Sequence, residues 1–341
     1  MDHRAQILET IYGEFSITEP ILIDLLASHA MQRLKKINQF GVSQYIDKTM
    51  GTYTRYAHSV GVFVLLRRYG LGLEEQIAGL LHDASHTVFS HVGDYLFNGE
   101  HESGSSYQDQ IHQWYLERTD VAQIVQKYGY QLTQLLHKSG KFRALEQDLP
   151  DLCADRIEYT LHEAVLRQGI KTTQAATAWV ENILRHLHFE NGIWFFDSLS
   201  SAREYADLAL KFTQQSWASD CAMYTATIAA QMLRRALQIG VLDYNIIHFG
   251  VDDDVWHKLK DCRDQEIQDC LDKICHYTNA YRLSNVQDYN MHLRGKFRGV
   301  DPYVKCGLDL QRLSKLDHQF AQNFALLKAH TLAGIYIKSL V

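Results

Sequence analysis

Apolar residues recur along most of the chain at the three- and four-residue spacing of amphipathic helices. Residues 55–68 and 74–81 follow this pattern, which predicts helices with one buried face. Residues 32–40, between Ser28 as a cap and Gly41 as a terminator, predict another helix. The chain contains only three prolines, so interior helix breakers are scarce. The pattern therefore predicts a mainly α fold.

One segment departs from helical spacing. Within residues 188–196, β-prone runs flank Asn191-Gly192, a strong signal for a small β-hairpin. Most of the clustered histidines and aspartates precede residue 170, and the remainder is helix-rich without a linker or internal repeat. We therefore expect a helical core over residues 1–170 and a helix-rich C-terminal region over residues 171–341 that packs on it.

Composition narrows the class of protein. A chain of 341 residues with 46% hydrophobic content can bury one large core or two fused ones. The net charge of −6 argues against the basic surface of a stable nucleic-acid complex. The N-terminus lacks a signal-peptide pattern, and no stretch reaches the ~18 apolar residues of a membrane span. We expect a cytoplasmic location, no membrane association, and reduced thiols, because the six cysteines form no Cys-x-x-Cys pair.

The densest chemistry lies in residues 79–94, where three histidines and two aspartates stand among small and apolar residues. If the preceding helix continues through this stretch, His82 and His86 lie four residues apart on one face. Two imidazoles and the carboxylate of Asp83 would then converge on one point.

A second polar set lies on a helix predicted to begin at Pro150. Asp155, Tyr159 and Glu163 recur every four residues and so share one face, opposite an apolar face. A polar stripe on so apolar a helix indicates a lined pocket, and a solvated surface is the competing interpretation.

Four of these side chains form a ligand set for one divalent ion. His58, His82, Asp83 and Asp155 offer two imidazoles and two carboxylates, a mixture that suits Fe, Mn, Ni, Co or Zn, with Mg as a further candidate. Such an ion activates water and polarises a phosphoryl oxygen. Each residue alone is more often a satisfied core histidine or a surface carboxylate, but the combination favours a metal-dependent phosphohydrolase.

Further residues near this set suit phosphate chemistry. Arg55 lies about one helical turn before His58 and has the forked donors that bind phosphate. His86, His91 and Asp94 are catalytic candidates, since they can bind phosphate or transfer a proton to the leaving oxygen.

The order His58, then His82-Asp83, then Asp155 resembles the HD superfamily of metal-dependent phosphohydrolases. The similarity extends to four segments, residues 17–20, 31–41, 55–61 and 82–91, which look like the branch containing deoxynucleoside triphosphate (dNTP) triphosphohydrolases and bacterial dGTPases. It covers residues ~16 to 170 well and the remainder weakly. The resemblance implies an HD-domain helical core, these four residues as ligands of one divalent ion, and attack of water on phosphorus.

The same resemblance implies a substrate-binding set. Its members are Arg55, Gln39, Phe40, Arg156, Tyr159 and Glu163. Gln39 and Glu163 are implied to contact the sugar 3′-hydroxyl, and Phe40 to crowd the 2′ position. His86, His91 and Asp94 are implied to face the phosphates with Arg55.

Three positions depart from the family pattern. Gln108 stands where a histidine is expected, with His101 as a candidate replacement, Gln215 where a phosphate-binding arginine is expected, and Met223 in place of a stacking tyrosine. Loss of one cationic contact removes ~1.5–3 kcal/mol, which is enough to shift the preferred phosphate chain length.

The leading hypothesis is therefore a dNTP triphosphohydrolase with a small-molecule nucleotide substrate. One alternative is hydrolysis of another phosphoester, such as a nucleoside monophosphate or a cyclic or linear dinucleotide. Another is a non-catalytic nucleotide-binding regulator or assembly protein. By family analogy we also expect a homo-oligomer, either a dimer or a tetramer.

Overall fold

The computed structural model describes residues 5–47, 51–98 and 106–340; His101 lies outside these ranges. The chain is mainly helical, so the predicted fold class is confirmed. The helices are α1 (Pro20–Ala27), α2 (His29–Leu34), α3 (Arg55–Arg68), α4 (Leu73–Leu81), α5 (Tyr107–Glu117), α6 (Asp120–Lys127), α7 (Ala154–Arg167), α8 (Thr173–Leu184), α9 (Leu199–Phe212), α10 (Asp220–Gln238), α11 (Tyr244–Phe249), α12 (Asp252–Lys260), α13 (Gln265–Cys275), α14 (Tyr277–Ala280), α15 (Leu313–Leu316) and α16 (His318–Ala333).

Short strands form three small sheets around the helices. They are β1 (Gln6–Thr10), β2 (Gly13–Ile17), β3 (Leu187–Glu190), β4 (Ile193–Phe196), β5 (Tyr281–Ser284), β6 (Met291–Leu293), β7 (Tyr303–Cys306), β8 (Asp309–Arg312) and β9 (Ile335–Ser339). The sheet orders are β1-β2, β3-β4-β7-β8 and β5-β9-β6. The predicted hairpin is confirmed as the antiparallel pair β3-β4. Asn191 and Gly192 both take positive φ in its turn, as a primed hairpin turn requires.

Helix α3 lies at the centre and packs against both α4 and α7. Two glycines permit this close packing. A Cβ on Gly79 would lie 2.5 Å from Leu66 Cδ1, and one on Gly61 would lie 2.3 Å from Glu158 Oε1. Both distances are below any real carbon contact, so glycine at these positions lets α4 and α7 approach α3 closely.

The helix predicted through His82 and His86 is wrong beyond Leu81, where α4 ends. The chain then runs through successive turns, and Phe89 and Ser90 take positive φ. The Nδ1 atom of His82 is 2.7 Å from the carbonyl oxygen of Gly79. His82 and His86 are therefore not aligned on one helical face.

Two other predicted helix boundaries also differ. The helix predicted over residues 32–40 ends at Leu34, because the following backbone pairs with a neighbouring segment instead: Gln39 N donates to Tyr53 O at 2.7 Å. Helix α7 begins at Ala154 rather than at Pro150. The register of α7 still places Asp155, in its first turn, beside α3.

The C-terminal region shares one continuous apolar core with the preceding helices. Asp252 at the start of α12 ties the two parts together. Its carboxylate accepts hydrogen bonds from the backbone N of Asn38 at 2.8 Å and of Phe89 at 2.7 Å.

The domain boundary near residue 170 stays a prediction. Among the described residues, no helix has the length and apolarity needed to span a bilayer, and all six cysteines are free thiols.

Candidate metal centre and substrate cavity

Four side chains converge where α3 and α7 begin and α4 ends. The Nε2 atoms of His58 and His82 lie 3.1 Å apart, and Asp155 Oδ1 lies 2.9 Å from His58 Nε2 and 3.6 Å from His82 Nε2. Asp83 completes the group, with Oδ2 3.6 Å from His58 Nε2. Ligands held at ~2.1 Å from one ion stand roughly 3 Å apart, so His58, His82 and Asp155 have the geometry to hold a metal ion, and Asp83 lies beside them at a longer distance.

Glu158 is fully buried and holds His58 from behind. Its Oε2 accepts hydrogen bonds from His58 Nδ1 and from the Tyr53 hydroxyl at 2.5 Å, while its Oε1 lies 2.8 Å from His162 Nδ1. A carboxylate on Nδ1 directs Nε2 of the same ring toward a metal. Burial lowers the pKa of His58, but Glu158 and the neighbouring aspartates outweigh burial and raise the pKa to about 10.

Asp83 connects the metal set to two residues predicted to face phosphate. Arg55 Nη1 donates to Asp83 Oδ2 at 2.6 Å, and His86 Nε2 lies 3.2 Å from Asp83 Oδ1. Burial opposes ionisation of Asp83, but the charges of His82 and Arg55 hold its pKa well below the ordinary value. Arg55 Nη2 is buried and has no hydrogen-bond partner within the described part of the chain.

A cavity of about 940 Å³ opens next to this centre, within the range of ~300–1,000 Å³ typical of small-molecule sites. The predicted catalytic and substrate-binding residues that line it are Gln39, Phe40, His91, Asp94, Tyr159 and Glu163. Tyr159 lies one helical turn after Asp155 on α7, so the cavity wall and the metal set adjoin each other. Arg55 and His86 are buried behind that wall.

His91 and Asp94 form a pair on the cavity wall. His91 Nδ1 lies 3.4 Å from Asp94 Oδ2, and His91 Nε2 lies 3.4 Å from Arg298 Nη2. Because a guanidinium only donates, Nε2 is the accepting nitrogen and Nδ1 carries the proton. Desolvation and the nearby cations lower the pKa of His91 despite the opposing effect of Asp94. His91 is therefore neutral and able to accept a proton.

Comparison with known proteins identifies the family. The profile of the HD domain matches residues 55–160, which contain all four converging side chains. The uncharacterised protein YdhJ of Bacillus subtilis is 33% identical over 299 residues, which cover 88% of this chain and 88% of YdhJ. The chain belongs to the HD-domain family of metal-dependent phosphohydrolases.

Two further relatives match shorter stretches of the sequence, and a solved structure matches the fold. The metal-dependent phosphohydrolase cns2 of Cordyceps militaris is 42% identical over 164 residues, 48% of this chain and 46% of cns2. The deoxynucleoside triphosphate triphosphohydrolase SAMHD1 of Xenopus laevis is 32% identical over 104 residues, 26% of this chain and 16% of SAMHD1. A crystal structure of a Bacteroides thetaiotaomicron phosphohydrolase shares the fold, with a TM-score of 0.70 and 16% identity over 98% of this chain and 99% of the other.

In this HD-domain chain, His58, His82, Asp83 and Asp155 are the residues that would hold the metal. When bound, a divalent ion lowers the pKa of water and polarises a phosphoryl oxygen. The protein contributes the orientation of these ligands, through Glu158 behind His58 and the Gly79 carbonyl behind His82.

Glu163 is held on the cavity wall by two donors. Trp217 Nε1 donates to its Oε2 at 2.6 Å, and Arg167 Nε donates to its Oε1 at 2.6 Å. The Trp217 ring also meets Tyr159 edge-on at 4.8 Å between centroids. Trp217 thus joins two predicted sugar-facing residues of this HD-domain enzyme, and the sequence did not predict its part in the wall.

The structure places two of the singled-out residues away from the cavity. Arg156 Nη1 donates to the carbonyl oxygen of Asp151 at 2.9 Å, and its guanidinium lies 3.6 Å from Glu146; it is not among the cavity-lining residues. Gln108 is buried, and its side chain accepts a hydrogen bond from Ser85 at 2.8 Å. Existing intramolecular partners therefore turn both side chains away from the substrate-facing set.

The other two departures from the family pattern, Gln215 and Met223, differ in their position relative to the cavity. Gln215 lines the cavity, so the missing arginine would have pointed at the ligand. Met223 is buried in α10.

The sequence contained a usable signal for Glu158, because this residue follows Asp155 by three residues on the same helix. No sequence signal pointed to Arg298, because it contacts His91 across a separation of 207 residues.

Proposed function

We propose that this phosphohydrolase cleaves deoxynucleoside triphosphates into the deoxynucleoside and intact triphosphate. The observation that carries the proposal is that the predicted sugar-facing residues Gln39, Phe40 and Glu163 line the same cavity as His91 and Asp94, beside the metal set. The similarity to SAMHD1 over 104 residues supports the same substrate class.

In the proposed reaction, water attacks the α-phosphorus and the bond to the 5′-oxygen breaks. The attacking water loses a proton to solvent, and the leaving 5′-oxygen gains one. We assign the second transfer to His91, which lines the cavity and takes up a proton before passing it to the leaving oxygen, while Asp94 orients its Nδ1. The sugar is held in this proposal by Gln39 and Glu163, and Gln39 Oε1 has no hydrogen-bond partner among the described residues.

Hydrolysis of another phosphoester is the second candidate. Gln215 lines the cavity where the family pattern has a phosphate-binding arginine, which favours a substrate with fewer phosphates. The cavity volume of about 940 Å³ also suits a cyclic or linear dinucleotide as well as a nucleoside monophosphate.

A nucleotide panel with separate product analysis tests these candidates. The full chain is assayed with Mn, Fe, Ni, Co, Zn and Mg against deoxynucleoside triphosphates, nucleoside monophosphates and dinucleotides, and triphosphate, pyrophosphate and orthophosphate are resolved. We expect release of intact triphosphate, and we expect the double variant His82→Ala with Asp83→Ala to abolish it. Orthophosphate from monophosphates alone would establish the second candidate, whereas nucleotide binding without turnover under any metal would indicate a regulator.

A further inference from the structure

The C-terminal region contributes a row of cations to the cavity. Arg294, Lys296 and Arg298 all line it, together with Gly295 and Phe297 between them. Three long basic side chains of one short stretch thus border the same space. We refer to Arg294, Lys296 and Arg298 as the basic segment.

Glycine allows the basic segment to lie directly against the residues that precede α10. A Cβ on Gly295 would stand 2.5 Å from the Cβ of Ala218, and one on Gly299 would stand 2.3 Å from Cζ of Phe297. Neither position accepts a larger side chain unless these neighbours move. The segment is thereby fixed against the cavity wall.

Arg298 is the least exposed of the three cations. Its Nη2 contacts His91 Nε2 at 3.4 Å, and its guanidinium lies 5.7 Å from the Tyr159 ring centroid. Burial lowers the pKa of this guanidinium, but Tyr159 and the carboxylates of Asp155 and Asp94 lie near enough to raise it. Neither carboxylate forms a direct ion pair with Arg298 in the described ranges. A guanidinium has five donors, so Arg298 can also bind an anionic ligand group beside His91.

The other two cations extend the positive charge toward solvent. Lys296 Nζ lies 3.0 Å from Asp94 Oδ2 and so balances the carboxylate that orients His91. Arg294 is exposed at the cavity rim. Positive charge thus continues from the predicted catalytic pair to the mouth of the cavity.

We propose that the basic segment is a clamp for a polyphosphate chain. Arg298 contacts the phosphate closest to His91, and Lys296 and Arg294 contact those further out. The clamp supplies from the C-terminal region the cationic contact that Gln215 lacks. It rests on the proposed nucleotide function and specifies the ligand class as a chain of two or more phosphates.

Calorimetric titration of the metal-loaded full chain with inorganic triphosphate, pyrophosphate and orthophosphate tests the clamp. We expect Arg298→Ala to weaken triphosphate and orthophosphate binding roughly 10- to 100-fold, the range of a lost charge-assisted contact. We expect Lys296→Ala to weaken triphosphate binding but orthophosphate binding much less, because Lys296 contacts only the outer phosphates. Arg298→Lys should recover part of the affinity. Lys305→Ala is the matched control, because Lys305 is exposed on β7 and does not line the cavity.

Unchanged triphosphate affinity in folded Arg298→Ala protein, or an equal loss of orthophosphate and triphosphate affinity in Lys296→Ala protein, would overturn the clamp. Thermal unfolding of each variant shows whether it is folded, and Lys296→Ala provides a second, more exposed substitution if Arg298→Ala is not. Phosphate binding is measured without turnover, so the experiment can reject the polyphosphate clamp and the proposed dNTP hydrolysis independently of each other. Tight triphosphate binding without dNTP hydrolysis rejects the proposed reaction alone, and dNTP hydrolysis by Arg298→Ala with wild-type KM rejects the clamp alone.

Discussion

Glu158 accepts a hydrogen bond from Nδ1 of His58, on the opposite side of the imidazole from the nitrogen that faces Asp155. The carboxylate also accepts the Tyr53 hydroxyl at 2.5 Å. A buried glutamate therefore fixes both the orientation and the protonated nitrogen of a predicted metal ligand without belonging to the ligand set itself.

Glu158→Gln should lower metal affinity by roughly 10- to 100-fold, the usual effect of losing an outer carboxylate behind a ligating histidine. An amide is a weaker acceptor and leaves the imidazole less basic. Metal titration followed by elemental analysis measures the change. Glu181→Gln serves as the control, since Glu181 pairs with Arg68 at the surface. Equal metal affinity in the two variants would show that Glu158 has no part in metal binding.

Gly61→Ala should destabilise the protein by about 1–3 kcal/mol, as overpacking does. The new Cβ would lie 2.3 Å from Glu158 Oε1, and that side chain cannot move without releasing His58. Gly72→Ala should cost only the roughly 0.5–1 kcal/mol by which alanine is a poorer N-cap than glycine, because no heavy atom lies within 4 Å of its Cβ position and its φ of −64° suits alanine. Urea unfolding compares the two; similar losses would contradict the steric explanation.

Asp252 should make the stability of the protein depend on pH. Burial raises its pKa from 3.8 to about 7, against the backbone hydrogen bonds from Asn38 and Phe89. The folded chain therefore binds this proton more tightly than the unfolded chain, and the resulting stabilisation is complete below pH ~4 and lost as the pH rises through ~7.

The free energy of unfolding of wild type relative to Asp252→Asn measures this effect. We expect the wild-type advantage to shrink by about 2 kcal/mol between pH 5 and pH 8, given ~1.4 kcal/mol per pKa unit. An advantage that grows with pH would mean that the folded state favours the ionised carboxylate.

Phe40→Ala should relax discrimination against ribonucleotides if the proposed function holds. Phe40 lines the cavity and packs edge-on against Tyr53 at 5.8 Å. Removing a bulky side chain beside the 2′ position should lower the ratio of kcat/KM for dATP over ATP by roughly tenfold or more. Phe324→Ala is the control, because this aromatic lines the same cavity from α16. An unchanged ratio in Phe40→Ala would remove Phe40 as the discriminating residue.

Local sequence patterns predicted the elements that carry the site more accurately than their boundaries. The helix over residues 55–68 and the Asn191-Gly192 hairpin were correct to within a residue, because helical periodicity and turn chemistry act over a few residues. The helix predicted through His86 was wrong, since hydrogen bonds to the Gly79 carbonyl and a run of turns end α4 at Leu81. Predicted homo-oligomerisation and cytoplasmic location stay predictions.

By itself, the sequence determined the mainly helical fold, which follows from periodicity, and the order of His58, His82-Asp83 and Asp155, whose resemblance to the HD superfamily indicated the family. Only the tertiary structure decided which distant side chains contact the predicted metal ligands and the predicted catalytic histidine. Glu158 reaches His58 across 100 residues, and Arg298 reaches His91 across 207. Such contacts depend on how helices pack, and no local pattern encodes which distant side chain fills a given space.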